Sequence, residues 1–206
     1  MRRSLLGLLT VVAIAGLLIT TGCEVFERSN VLRVVKINGG SSLNVDVTDW
    51  WIYKDPSDPE AEPEQVYSMV GATTEVELQY VEIGAGLPTW TPYQAIITKA
   101  KIEFKRTQPD GELFDPISIT VPMDFNVPVD PAGKKTAKTS FEVAPEWWVE
   151  QNFDANDPTA VGDIVVAEAK ITFTGADSVS GKLIQAIGML DVHLADFYDD
   201  PQSMGK

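Results

Sequence analysis

The chain has 206 residues, 44% hydrophobic and 22% charged, which suits one globular domain and excludes a disordered polymer. Its formal net charge is −14, with 30 acidic residues against 16 basic ones. A surface of that sign repels phosphate backbones and anionic head groups, so nucleic-acid binding is excluded as a function class and the body is expected to stand off a membrane.

The first element is a leader. Arg2 and Arg3 give a positive start, and Leu5 to Ile19 form an apolar run broken only by Thr10 and the small residues Gly7, Ala13, Ala15 and Gly16. Thr20-Thr21-Gly22-Cys23 follows. A basic start, a short apolar run and small residues before a cut make the secretory pattern. The run is short of the roughly 20 residues that a span needs.

These residues resemble the bacterial lipoprotein signal, the lipobox, in which small residues precede a modified cysteine. Thr20 stands where that pattern usually has leucine, with Ile19 one place before it. The resemblance covers residues 1–23. It implies a signal peptide over 1–22, a diacylglyceryl thioether on Cys23 and an acylated new N-terminus. Cys23 is the sole cysteine, so no disulfide framework exists, and the lipid accounts for a lone cysteine in an exported chain. Two or more acyl chains hold a protein stably, whereas one holds marginally. Processing leaves 184 residues with 14 basic and 30 acidic side chains, a net charge of −16. Glu24 stands where an aspartate would resemble an inner-membrane retention signal. A Gram-negative source would therefore place the protein at the outer membrane or cell surface. Residues 23–30 form a tether whose seven residues after the cysteine span at most about 25 Å.

The domain is expected over residues 31–198, with a polar tail over 199–206. Strands are expected at Val31–Ile37, Leu43–Tyr53, Thr74–Ile83, Ala95–Arg106, Ile117–Val121, Thr136–Val143, Ala160–Thr174 and Leu183–Tyr198, from β-branched and aromatic runs bounded by Pro, Gly, Asn and Asp. Lys54–Glu64 reads as a Pro- and acid-rich loop. Ala95–Arg106 alternates most clearly: Ile96, Ala100, Ile102 and Phe104 on one face, Lys99, Lys101, Glu103 and Lys105 on the other. Gln108-Pro109-Asp110-Gly111 is a turn, since Pro presets φ and Gly accepts a positive one. Asp177–Gly181 turns a long C-terminal hairpin. The fold class that follows is all-β, a single antiparallel two-sheet β-sandwich of immunoglobulin or fibronectin type. The layout resembles small uncharacterised β-sandwich lipoproteins of bacteria, a likeness that carries no functional residues.

No catalytic constellation emerges. The one histidine, His193, lies mid-strand between Val192 and Leu194 and reads as an ordinary strand residue. Without a thiol or a second histidine, hydrolytic triads and zinc sites lack their parts. Gly175–Lys182 has the wrong glycine spacing for a phosphate loop and reads as a hairpin turn. Two ligand ideas remain. Asp154, Asn156 and Asp157, with Asp163 near, are the calcium candidates; Asp55, Asp58 and Glu60, and Asp199-Asp200, are further acidic loops. The pairs Trp50-Trp51 and Trp147-Trp148, with Trp90, could offer indoles for sugar or partner binding. In a strand, one of each pair packs inward while the other reaches the surface. Pro145–Trp148 also suits a short helical turn. No cofactor is implied. The expected function is a non-enzymatic, lipid-anchored envelope protein acting as a binding or assembly module, with a glycan- or calcium-binding module as the alternative. Its expected partners are the membrane and an envelope protein.

Overall fold

A computed structural model describes residues 29–57, 60, 62–83, 94–108, 114–130, 132–153 and 164–195. The leader, Cys23 and the C-terminal tail lie outside these residues. The chain is mostly β. Its strands are β1 (Ser29–Ile37), β2 (Leu43–Asp46), β3 (Thr48–Tyr53), β4 (Glu64–Met69), β5 (Ala72–Ile83), β6 (Gln94–Gln108), β7 (Ser118–Pro128), β8 (Ala137–Ala144), β9 (Val165–Asp177) and β10 (Leu183–Ala195). One short helix, α1 (Glu146–Asn152), follows β8.

The strands sort into three sheets: β1-β5-β8, β2-β10-β9-β6-β7 and β3-β4. The five-stranded sheet curls into a half-barrel, so an immunoglobulin-like pairing of two sheets is not established by this arrangement. Nor is every pairing antiparallel, because β2 lies parallel to β10. The segment expected as one strand, Leu43–Tyr53, breaks at Val47. The Val47 N–H donates to the Ala195 carbonyl and its own carbonyl accepts from Val70, which switches the chain from the large sheet to the β3-β4 ribbon. Sequence periodicity carries no mark of that switch, since Val45 and Val47 are both buried.

Strand β6 carries the second departure. Its alternation is real, but a bulge lies between Ile97 and Lys99. Ala95 and Ile97 are buried before the bulge, and Ala100, Ile102 and Phe104 after it, while Ile96 is only half-buried. One extra residue reverses which side chains face inward. Strand β7 runs through Pro122, where the sequence suggested an end; as an edge strand it tolerates a residue with no N–H to donate.

The core lies between the half-barrel and the three-stranded sheet. Phe141 of β8 meets Phe173 of β9 edge to face at 5.4 Å. Tyr80 of β5 donates to Asp177 at the end of β9 over 2.6 Å. From the Phe173 level to the Asp177 level, β5 and β9 run in the same sense, since Thr74 pairs with Phe141. The molecule therefore has two ends. One holds the Ser29 end of β1, paired with Ile83, and the β9-β10 turn. The other holds α1 and the Ala72 end of β5.

Candidate functional site: an open groove between two strand edges

The groove forms where β1 ends. Asn38, Gly39 and Gly40 take φ values of 49°, 65° and 90°, a left-handed run that Asn and Gly accept at least cost. The Asn38 amide donates to the Ser42 carbonyl at 2.6 Å and holds this turn against Ser41 and Ser42. The turn carries the chain from the three-stranded sheet into β2, at the margin of the half-barrel.

β2 is only four residues long and covers Val192–Ala195 of β10. From Leu183 to Asp191, the β10 edge facing away from β9 has no strand partner among the described residues. β1 is an edge strand too. It approaches β10 at Gly188, where the side chains of Val34 and Ile37 occupy the space a Cβ would need. Between these edges opens a cavity of about 350 Å³, lined by Val34 and Ile37, by Ile187 to Asp191, and by Ser41 and Ser42 of the turn. Val35, Ile187 and Met189 stand around it, 42%, 58% and 51% exposed. Lys36 and Asp191 are the charged members of the lining. Such a place offers main-chain donors and acceptors in a row beside an apolar surface. It offers no nucleophile paired with a base.

The sequence candidates are scattered. Trp148 is fully buried: its ring stacks on Phe104 at 4.3 Å and tilts against Phe114 at 5.1 Å. Its indole N–H donates to the Pro116 carbonyl at 2.9 Å. Asn152, one helical turn on, donates to the Asp115 and Trp148 carbonyls and accepts from the Asp115 N–H. Trp148 thus fastens α1 to the segment before β7. It is a core residue, not part of a binding platform. Trp147, its neighbour, is 51% exposed. The split expected of a Trp pair holds, but on a helix rather than a strand. Trp50 and Trp51 lie in β3, in register with Tyr67 and Val66. Their side chains, like Trp90, lie outside the described residues.

Asp154, Asn156, Asp157, Asp163, Asp58 and Asp199-Asp200 also fall outside the described residues. Among the described residues no three or more His, Cys, Asp or Glu side chains converge as a metal site would. Asp55 accepts from the N–H and hydroxyl of Ser57, which lower its pKa. His193 sits half-buried in β10, in register with Val166 and Asn44, opposite in facing to its buried neighbours. No helix among the described residues is long and apolar enough to cross a membrane.

The groove itself was not read from sequence. Leu183, Ile187 and Met189 alternate with Ile184, Ala186 and Leu190, so both faces of β10 carry large apolar residues, and that two-sided pattern was the available signal. Compared with models of protein families, with curated proteins and with solved structures, the chain matches none.

Proposed function

We propose that this chain is a lipid-anchored protein of the bacterial cell envelope, without enzymatic activity, that binds an extended segment of an envelope protein along the free edge of β10. The observation that carries this reading is the unpaired Leu183–Asp191 edge beside exposed Ile187 and Met189. An added strand gains main-chain hydrogen bonds from such an edge and specificity from alternate side chains. Leu183–Leu190 is uncharged in a chain of net charge −14. The occupant is therefore an uncharged, apolar-alternating strand, which meets no like charge there. On this reading the three-stranded sheet faces the half-barrel as in a sandwich of immunoglobulin type left open on the β1-β10 side. Cys23 supplies the anchor, and the short tether keeps the groove near its membrane.

Crosslinking of the tagged full-length protein in cells, with mass spectrometry, tests the reading. The expected result is one envelope protein in near-stoichiometric yield, lost in I187K and in Cys23→Ala. A membrane-bound wild-type chain that yields the same crosslinks in I187K overturns the groove as the binding site.

A further inference from the structure

The end of the molecule that receives the tether differs from the rest of its surface. Ser29 begins β1 at this end, six residues after Cys23. Leu32, three residues further, pairs with Tyr80, and Tyr80 reaches Asp177 at the start of the β9-β10 turn. The Asp130–Lys135 turn lies here too: the Asp130 N–H donates to the Tyr80 carbonyl, and Gln79 donates to the Gly133 carbonyl.

Two observations set this end apart. Val179 and Leu183, flanking the tip of the β9-β10 turn, are 58% and 67% exposed. Lys134, Lys135 and Lys182 are exposed as well, while the carboxylates of both turns are turned inward. Asp130 accepts from the backbone N–H groups of Ala132, Lys134 and Lys135. Asp177 accepts from those of Val179 and Ser180. Glu82 near the end of β5 is the remaining acid of these segments, and its side chain lies outside the described residues. A strongly acidic protein thus presents lysines and two large aliphatic side chains where its tether begins.

From this geometry we infer that the end bearing Val179, Lys182, Leu183, Lys134 and Lys135 is seated on the bilayer that holds the anchor, its aliphatic side chains in the interface and its lysines on anionic head groups. The inference rests on the lipid-anchor reading. Aliphatic residues at a turn tip with flanking lysines suit the boundary between head groups and acyl chains, and each lysine near an anionic surface adds attraction that salt screens. The tether is too short to hold this end far from the lipid. Net charge alone would keep the body away. The uneven placement of that charge sets which end approaches, with α1 and the exposed Trp147 pointing away.

The test uses the acylated protein purified from cells and reconstituted into vesicles of phosphatidylcholine and phosphatidylglycerol. A fluorophore is placed at S178C in one sample and at E150C on α1 in another, with Cys23 blocked by its own lipid. Spin-labelled lipids then act as quenchers. The expected result is loss of most of the fluorescence at position 178 and little at position 150, with quenching at 178 relieved in V179D/L183D although the protein still floats with the vesicles. A vesicle-bound, acylated protein unquenched at 178 overturns this inference and leaves the anchor intact. Crosslinking of label 178 to an envelope protein in cells, with no quenching on vesicles, overturns it as well. A purified chain whose mass shows no acyl groups overturns the anchor reading and this inference together.

Discussion

The hydroxyl of Tyr80 lies 2.6 Å from a carboxylate oxygen of Asp177, and both residues are buried. This hydrogen bond joins the three-stranded sheet to the half-barrel across 97 residues of sequence. Asp177 is also the organiser of its own turn, accepting from the N–H groups of Val179 and Ser180 and from the Ser180 hydroxyl. Burial pushes its carboxyl up, but the Ser180 N–H, the Tyr80 and Ser180 hydroxyls and the Val179 N–H outweigh that and hold it at about 2.

Tyr80→Phe removes one donor from a buried carboxylate and leaves the ring in place. The expected loss is about 1.5–3 kcal/mol, measured by urea unfolding at neutral pH. A loss near zero would mean that water replaces the hydroxyl.

A carboxyl whose folded pKa lies below its unfolded value stabilises the fold above that unfolded value, and the contribution disappears as pH falls through the folded one. For Asp177 the window runs from the ordinary 3.8 down to about 2. Asp130 is shifted the same way, by the N–H groups of Lys135 first and Lys134 next. Asp177→Asn should lower stability at pH 7 and flatten the decline between pH 4 and pH 2. Melting temperatures across that range read this directly, and parallel curves for the two proteins would refute it.

Gly175 and Gly188 should respond oppositely to alanine. A Cβ at Gly175 would collide with the main chain of β6, with the Ile96 carbonyl carbon at 2.8 Å and Ile97 Cα at 2.9 Å. Gly175 faces β6 beside the Ile97–Lys99 bulge, so neither backbone can retreat without breaking the ladder. Gly175→Ala is expected to cost about 3 kcal/mol or to abolish folding. At Gly188 the obstacle is the mobile end of Ile37, with Val34 beyond it, so Gly188→Ala should cost about 1 kcal/mol and narrow the groove. Chemical denaturation of both variants decides between them.

The tryptophans of α1 should also separate. Trp148→Ala removes the ring stacked on Phe104 and the indole bond to Pro116, an expected loss of about 3–5 kcal/mol. Trp147→Ala should stay within about 0.5 kcal/mol, since half of that side chain is already in water. A large loss from Trp147→Ala would place it in a contact absent from the described residues.

Sequence periodicity located most strands because each buries one face. Val76, Leu78 and Tyr80 in β5, and Ala167, Ala169, Ile171 and Phe173 in β9, are buried as their alternation requires. The Asp177–Gly181 turn and the hairpin it joins were legible for the same reason, with Gly181 at φ 67°. The bulge in β6 was not, because nothing in Ile97-Thr98-Lys99 marks where a neighbouring strand slips by one residue. β4 was lost to the acidic composition of the loop before it.

The candidate site was the least legible part. A groove is made by what two strands fail to pair with, and pairing between residues as far apart as Val34 and Gly188 is a property of the assembled sheets. By itself, the sequence determined the β class, the inward faces of the strands, the acidic charge, and the leader pattern from which the anchor is expected. These depend on local chemistry and on periods of two. Tertiary structure decided that the strands form three sheets, that Trp148 is a core clasp, that β10 keeps a free edge, and that the lysines gather where the tether begins. Each of those outcomes depends on contacts between segments distant in the chain, and such contacts leave no local trace.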